Sequence, residues 1–377
     1  MKKEIKLKKV LFVATITKHI NTFHIPYLKW FKEQGYEVHV ASNGEQKIEY
    51  CDKHYNLPFE RFPLKRNNFK VYKQLKKIIK ENEYQIIHCH TPVGGVLTRL
   101  AARETRKKET KVIYTSHGFH FYKGASLLNW SIYYPIEKIC ARYTDCLITI
   151  NEEDYNLAKR KLKAKRIEFV HGVGLNTDRL NIQNEEEVEI KYRQKLNIKE
   201  NETVLCYIAE LNKNKNQMLI IKSLQKLIQE GYILKLLLVG EGDLHETYQK
   251  YINENNLNNN IQLLGRRNDI GEILTVTDIY VASSIREGLG VNLMEAIYKK
   301  LPIIATDNRG HKELVKNGIN GYLVSDYKNI EEFKENIKKL LDDKQKVVKL
   351  KENSEKILEK YILNSVMREM EKIYKTI

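Results

Sequence analysis

Cysteine, proline, glycine and long apolar runs are all scarce in this chain of 377 residues. Its five cysteines include no C-x-x-C pair, which argues against a disulfide framework and favours the reducing cytoplasm. Only 6 prolines and 18 glycines exclude collagen-like and broadly disordered chains. No apolar run approaches the roughly 18 to 20 residues of a membrane span. We therefore expect a soluble globular protein of two to three domains, at about 150 residues per domain.

Acidic residues are scarce in the first half of the chain. Residues 1–180 contain 34 Lys and Arg against 18 Asp and Glu, a net charge of +16, whereas the whole chain carries +17. The excess lies in residues 65–80, 99–111 and 159–166. This charge predicts a phosphate-bearing or anionic-lipid partner, although solvated helix surfaces are the plainer interpretation. A nucleic-acid-binding protein would also fit the charge, but the sequence contains no recognised nucleic-acid module.

Short β-branched apolar runs alternate with amphipathic stretches. This alternation predicts parallel sheets in a doubly wound α/β architecture, with ligands at the carboxyl ends of the strands. The predicted strands of the first half lie at residues 10–14, 37–41, 85–89, 111–115, 146–150 and 166–170. The predicted helices lie at residues 25–34, 69–82 and 127–143, the first of them ending at Gly35.

A polar, acidic stretch at residues 178–189 predicts a domain boundary. A second α/β series follows it, with strands at residues 204–209, 234–239, 261–264, 279–282, 303–305 and 321–324. Helical patterns occupy the end of the chain. We therefore predict domains at residues 1–180 and 181–355, followed by a helical segment at 356–377.

The segment 284–296 follows a predicted strand and combines two glycines with two glutamates. Gly288 and Gly290 allow the backbone to approach a ligand closely, and a helix that begins near Gly290 presents its N–H groups and positive dipole end. These features suit a diphosphate. Glu287 and Glu295 flank this point and are suited to accept hydrogen bonds from sugar hydroxyls. A tight turn with a capping carboxylate is the structural alternative.

Two nucleotide-binding signatures are missing. The glycine pairs at residues 172–174, 240–242 and 288–290 do not complete G-x-G-x-x-G, and no G-x-x-x-x-G-K-[ST] motif is present. A nicotinamide dehydrogenase and a P-loop phosphotransferase are therefore poorly supported.

Histidines gather at the ends of predicted strands in the basic half. His88 and His90 share one face of a strand, but no third ligand stands out, so we expect no metal site there. His117 follows another strand, where Gly118 keeps the loop open at the carboxyl edge of the sheet. His117 is therefore the better candidate for chemistry, and a histidine that fixes the turn is the alternative.

Basic residues follow two strands of the second half. Lys213 and Lys215 precede a helix start, where a lysine is unusual unless an anion is bound. Arg266 follows a further strand and is placed either to stack on a nucleobase or to cap the helix that starts at Asp269.

The spacing of Glu287 and Glu295 resembles the E-x7-E signature of glycosyltransferase family 4. Further stretches with the family's pattern lie at residues 238–242, 301–307 and 318–324, and the resemblance covers nearly the whole chain. Residues 117–124 and 134–138 look like the branch of bacterial enzymes that build capsule, exopolysaccharide or lipid-linked oligosaccharide.

The resemblance implies the GT-B fold, in which two Rossmann-like domains face a cleft and the final helix crosses back to the first domain. It implies transfer of a sugar from a nucleotide donor with retention of anomeric configuration. Glu287 would hold the donor sugar, Lys215 would neutralise the leaving diphosphate, and His117 would face donor and acceptor. The implied donor-binding residues are Gly240, Arg266, Gly288, Leu289, Gly290, Val291 and Glu295, with Glu295 on the ribose.

The implied enzyme uses no cofactor or metal, and the sequence contains no acidic D-x-D triplet. A UDP-sugar is the expected donor, and a membrane-anchored polyprenyl-diphosphate saccharide is the expected acceptor. The enzyme is expected in the cytoplasm, bound to the anionic inner face of the membrane. The chain differs from the family's pattern at two places. Glu210 stands where many family members have a phosphate-binding arginine, and residues 15–19 replace a Gly-Gly loop, leaving Asn21 and His24 as polar candidates. A sugar-nucleotide epimerase or hydrolase of the same architecture is the alternative enzyme.

Overall fold

The computed structural model describes residues 7–63 and 65–377, except the side chain of Glu355. The chain divides into two compact units. The first comprises the described residues up to Gly174 together with Asn364–Ile377, and the second comprises Leu175–Leu363. The polar stretch at residues 178–189 therefore lies within the second unit, where Leu180 is buried in the core. Within the described ranges, no helix is long and apolar enough to cross a membrane.

The first unit is built on a seven-stranded parallel sheet. Its strands are β1 (Lys9–Ile16), β2 (Glu37–Asn43), β3 (Lys53–Asn56), β4 (Ile86–His90), β5 (Lys111–Ser116), β6 (Cys146–Thr149) and β7 (Arg166–Phe169). Its helices are α1 (Thr17–Phe23), α2 (Ile25–Glu33), α3 (Arg66–Asn82), α4 (Pro92–Ala101), α5 (Leu127–Ala141) and α6 (Glu152–Lys161). The strand order is β3-β2-β1-β4-β5-β6-β7.

The second unit repeats this architecture with six parallel strands in the order β10-β9-β8-β11-β12-β13. The strands are β8 (Thr203–Ile208), β9 (Leu234–Val239), β10 (Ile261–Gly265), β11 (Ile279–Ala282), β12 (Ile303–Thr306) and β13 (Gly321–Val324). The helices are α7 (Glu185–Lys195), α8 (Gln217–Gln229), α9 (His245–Glu254), α10 (Ile270–Thr275), α11 (Val291–Tyr298), α12 (Arg309–Leu314), α13 (Ile330–Asp342), α14 (Lys344–Glu352) and α15 (Ser354–Leu358).

The last helix, α16 (Leu363–Thr376), packs almost entirely on the first unit. Its Tyr374 stacks on Trp30, with ring centroids 5.4 Å apart, and its hydroxyl lies 2.8 Å from Nδ1 of His88. The predicted fold class is confirmed: both units are doubly wound parallel sheets. In each sheet the strand order reverses at one point, between β1 and β4 and between β8 and β11. Such switch points are where this architecture binds ligands.

Burial explains which elements the sequence predicts well. All four residues of β11 are buried and apolar, and parallel strands that are covered on both faces form continuous apolar runs. Gly35 ends α2 with a φ of +78°, the predicted left-handed cap. The edge strand β3 has no fully buried residue and was not predicted. Helix α4 was also not predicted, because it contains Gly95 and glycine is a poor helix former. The structure requires glycine at this position, because a Cβ atom would lie 2.3 Å from the ring of Tyr114.

Candidate active site

An ion pair joins two loops at the switch point of the second sheet. Lys215 follows β8 and Glu287 follows the adjacent strand β11, and the Lys215 ammonium contacts the Glu287 carboxylate. The loops are tied together independently of this pair. The amide of Ile285 donates to the Asn214 carbonyl at 2.8 Å, and the Ser283 hydroxyl donates to the Lys215 carbonyl at 2.8 Å. The structure therefore brings together two predicted residues that are 72 positions apart.

The electrostatics of this pair favour an ionised carboxylate. Burial alone would raise the pKa of Glu287, but the charge of Lys215 and the hydrogen bond that it donates outweigh burial and lower that pKa. The side chain of Glu287 is 14% exposed and that of Lys215 is 22% exposed. The pair therefore offers an anionic acceptor and a cation in a largely desolvated position, where electrostatic interactions are stronger than in water.

The glycine-rich segment leads directly into α11. Gly290 is the residue before Val291, the first residue of this helix, and the first amides of a helix have no acceptor within it. A third glycine, which the sequence analysis missed, packs against the ion pair: a Cβ atom at Gly310 would lie 2.7 Å from the Cβ of Glu287. Helix α12 thus approaches Glu287 with its backbone, an approach that only the absence of a side chain permits.

Glu295 lies inside α11 and is only 2% exposed. Its carboxylate contacts the guanidinium of Arg179, whose side chain is 55% exposed. Sequence analysis did not identify Arg179, because it lies in the stretch that was interpreted as a polar domain boundary. A buried carboxylate with an exposed cationic partner is open to exchange that partner for a ligand hydroxyl.

Three other predicted residues of this unit have different surroundings. Gly240 packs so closely on the preceding loop that a Cβ atom would lie 2.0 Å from the Ala209 carbonyl oxygen, which gives this glycine a structural role. Arg266 is exposed, and the Nε of Arg267 donates to Asp269 at 2.7 Å. The predicted capping contact of Arg266 with Asp269 is therefore wrong, because the neighbouring arginine makes it. Lys213 and Glu210 are exposed.

Four histidines meet at the switch point of the first sheet. His19 and His24 lie on and directly after α1, His90 ends β4, and His117 follows β5. Nε2 of His117 is 3.4 Å from Nδ1 of His90, and the rings of His24 and His90 stack with centroids 3.8 Å apart. His88 is separate: its two ring nitrogens bond to Tyr374 and Thr115. Sequence analysis considered His117 and His24 separately and His90 only together with His88, and it missed the convergence of these residues with His19.

A cavity of about 350 Å³ adjoins this histidine group. His19, His120 and Tyr133 contribute to its wall, and the rings of His120 and Tyr133 stack at 4.6 Å. A smaller apolar cavity, of about 80 Å³, shares Tyr133 and also contacts α4 and α5. Asn21, the other polar candidate here, donates to the Lys47 carbonyl at 3.0 Å.

One residue of the predicted anion-binding stretch 99–111 is not available to a partner. Arg99 is fully buried and forms a bidentate pair with Glu137, at 2.8 and 2.9 Å. Exposed basic residues do remain in the three stretches, including Arg103, Lys107 and Lys163. The expectation that stretch 99–111 as a whole faces an anionic partner is therefore wrong at Arg99, whose charge serves the fold.

Two family models together match most of the chain. Residues 9–151 match a "Glycosyl transferase 4-like" domain, and residues 188–357 match "Glycosyl transferases group 1". The division follows the two structural units, so that each family domain contains one of the two switch points.

Individual proteins give the same result. EpsD of Bacillus subtilis, which is classed as a glycosyltransferase, is 48% identical over 84% of this chain and 83% of its own length. An Escherichia coli UDP-Gal:alpha-D-GlcNAc-diphosphoundecaprenol alpha-1,3-galactosyltransferase is 28% identical over 79% of this chain and 76% of its own. The Anabaena protein HepE, solved in complex with UDP-glucose, superposes with a TM-score of 0.78 over 98% of this chain and 100% of its own, at 18% identity. The chain is therefore a glycosyltransferase of family 4 with the GT-B fold.

Proposed function

We propose that this enzyme transfers a sugar from a UDP-sugar to a polyprenyl-diphosphate-linked saccharide, with retention of configuration and without a metal ion on the donor diphosphate. The observation that carries the proposal is the Lys215–Glu287 ion pair beside the start of α11. A cation, a row of helix amides and an ionised carboxylate at one switch point are what a sugar diphosphate requires.

Each group of this site has a role that follows from its chemistry. The amides of Gly288, Leu289, Gly290 and Val291 bind the diphosphate, and Lys215 stabilises the negative charge that develops on it as the sugar departs. Glu287 accepts hydrogen bonds from the sugar hydroxyls. When the donor enters, Lys215 moves from the carboxylate to the diphosphate, so the ion pair holds both groups in position beforehand.

Nucleotide binding involves the outer residues of the site. Glu295 accepts hydrogen bonds from the ribose hydroxyls. Its present partner Arg179 then either leaves the carboxylate or contacts it together with the ribose. The exposed Arg266, at the end of β10, is placed to stack on the base, and Gly240 keeps the backbone close at the end of β9. The choice of a UDP-sugar draws support from the E. coli relative, which is named for UDP-Gal, and from HepE with its bound UDP-glucose.

The acceptor and the membrane belong to the first unit in this proposal. His117 contributes to transfer from the switch point of that unit, where its ring centroid lies 6.1 Å from that of His24. Asn21 lies on α1, the helix that precedes His24. The E. coli relative is named for a diphosphoundecaprenol acceptor, which supports a lipid-linked acceptor here. Such a lipid requires the enzyme at the cytoplasmic face of the membrane. Helix α5 supports this location, because several of its apolar side chains are exposed: Leu127, Leu128, Ile132 and Ile139.

A panel of nucleotide sugars tests the donor. A ligand at 100 times its dissociation constant adds about 2.7 kcal/mol to the free energy of unfolding, so the correct donor raises the melting temperature of the chain. Transfer is then assayed with that donor and a short-chain polyprenyl-diphosphate saccharide, and the anomeric configuration of the product is determined by NMR. Lys215→Ala is the test variant, and Lys213→Ala, at an exposed lysine two positions away, is its control.

Three outcomes would contradict the proposal: stabilisation by no nucleotide sugar, an inverted anomeric centre, or complete donor turnover without an acceptor. The last result would instead favour an epimerase or a hydrolase. Equal activity of Lys215→Ala and Lys213→Ala would remove the leaving-group role from Lys215.

A further inference from the structure

The four histidines at the first switch point form a compact group of imidazoles. One ring nitrogen from each of His19, His24, His90 and His117 lies within 4.8 Å of the others. Three separate segments supply them, namely the one after β1, the end of β4 and the loop after β5. The group contains no carboxylate and no thiolate. Imidazole is a ligand that suits zinc, copper, iron and nickel.

Hydrogen bonding leaves much of this group unsatisfied. Within the part of the chain that the structure describes, both ring nitrogens of His24, Nε2 of His19 and Nε2 of His90 are buried without a hydrogen-bond partner. His24 is 2% exposed and His90 is 1% exposed. A buried polar atom without a partner costs about 1–3 kcal/mol. By contrast, His88, two residues before His90 on the same strand, has both ring nitrogens hydrogen-bonded. Among the histidines of the described residues, buried ring nitrogens without a partner therefore occur on three of the four that converge, His19, His24 and His90.

We propose that His19, His24, His90 and His117 bind one divalent transition-metal ion. A tetrahedral zinc ion with Zn–N distances of about 2.0–2.1 Å places its ligand nitrogens about 3.4 Å apart. Nδ1 of His90 and Nε2 of His117 are already at this separation, 3.4 Å. The other rings approach by rotation of their side chains. The cavity of about 350 Å³ that His19 lines gives the hydrated ion access to the group.

This ion would act within the first unit. It would fix α1 against the carboxyl ends of β4 and β5, at the point where a doubly wound sheet binds its ligand. The site shares His117 with the proposed function, whereas the proposed contacts with the donor diphosphate are made by Lys215 and the start of α11. Metal binding can therefore be tested without a transfer assay, and its failure leaves the proposed function intact.

Zinc titration of the purified full-length chain tests the site. The chain is first dialysed against a chelator, and Zn²⁺ binding is then measured by calorimetry and by equilibrium dialysis. We expect one ion per chain. His90→Asn and His24→Ala each remove one ligand and should weaken binding by at least about 10–100-fold, the loss found when even a group that orients a ligand is removed. His88→Gln is the matched control, and His245→Gln, at an exposed position on α9, is the surface control.

A spectroscopic measurement on the native sequence guards against variants that do not fold. Co²⁺ in place of Zn²⁺ should give the intense visible absorption of a tetrahedral site, and an equimolar amount of Zn²⁺ should abolish it. Circular dichroism confirms that each variant is folded. The proposal is overturned if the native chain binds less than one ion at about 100 µM Zn²⁺, a concentration far above the dissociation constants of structural zinc sites. It is also overturned if folded His90→Asn and His24→Ala bind zinc as tightly as the controls do, or if bound Co²⁺ is octahedral.

Discussion

Replacing Arg99 with methionine should destabilise the first unit by about 3–5 kcal/mol, the usual cost of removing one partner of a buried ion pair. The structure explains this size. Arg99 is fully buried, donates two hydrogen bonds to Glu137 and a third to the Gly95 carbonyl at 2.9 Å, and its guanidinium carbon lies 3.8 Å from the centroid of the Tyr114 ring. Methionine occupies most of the volume but leaves the Glu137 carboxylate, 7% exposed, without a partner.

A double substitution separates the cost of an uncompensated charge from the cost of lost packing. Arg99→Met with Glu137→Leu removes both charges and keeps apolar volume at both positions. Replacement of a whole buried pair by apolar residues is often close to neutral. We therefore expect the double variant to be more stable than Arg99→Met alone, by about 2 kcal/mol or more. Arg103→Met, at an exposed arginine of the same basic stretch, should change stability by no more than about 0.5 kcal/mol.

Tryptophan fluorescence during urea unfolding is a suitable assay. The chain has two tryptophans, Trp30 and Trp130, and both belong to the first unit, so their emission follows that unit alone. The free energy of unfolding is obtained by linear extrapolation, with unchanged slopes as the check that two-state behaviour is preserved. The reasoning is refuted if Arg99→Met lowers the free energy of unfolding by less than about 1 kcal/mol, the average cost of a point substitution. It is also refuted if the double variant is as unstable as the single one.

The remaining predictions concern transfer and location. Transfer should persist in the presence of a chelator and without Mg²⁺. Lys215→Ala should reduce kcat by about 100- to 1,000-fold, as expected when one preorganised stabiliser is removed. A transfer activity that is lost on chelation and restored by Mg²⁺ but not by Zn²⁺ would contradict the metal-independent mechanism. Glu287→Gln should lower kcat more than donor affinity, whereas Glu295→Gln should chiefly raise the donor KM, because it contacts a part of the donor that does not react. Steady-state kinetics with melting curves on the same preparations check both, and a native rate for Glu287→Gln refutes its role. Leu128→Ser with Ile132→Ser should weaken co-sedimentation with anionic vesicles at low salt, and a native chain that does not sediment with them excludes the membrane proposal.

The ends of the strands were predictable because they depend on local sequence. Parallel strands covered on both faces are apolar runs bounded by polar loops, and the runs at residues 234–239, 279–282 and 321–324 coincide with β9, β11 and β13. Most predicted site residues also lie in the loops that follow the strands, since ligands in this architecture meet the carboxyl ends, whereas Glu295 lies inside α11. The E-x7-E spacing lies within one loop and one helix, so sequence alone locates it. These features require no knowledge of which strands are neighbours.

Tertiary structure decided which of these strand ends meet. The strand order, which reverses between β8 and β11, brings Lys215 to Glu287, and the reversal between β1 and β4 gathers four histidines from across the first sheet. The burial of an individual charged side chain could likewise not be predicted from the sequence. Arg99 looks like part of a basic surface stretch, and only the packing of α4 on α5 turns it toward Glu137. The physical reason is common to these cases: hydrophobic periodicity fixes which face of an element is buried, whereas the partner of a polar group is set by contacts between elements that are distant in sequence.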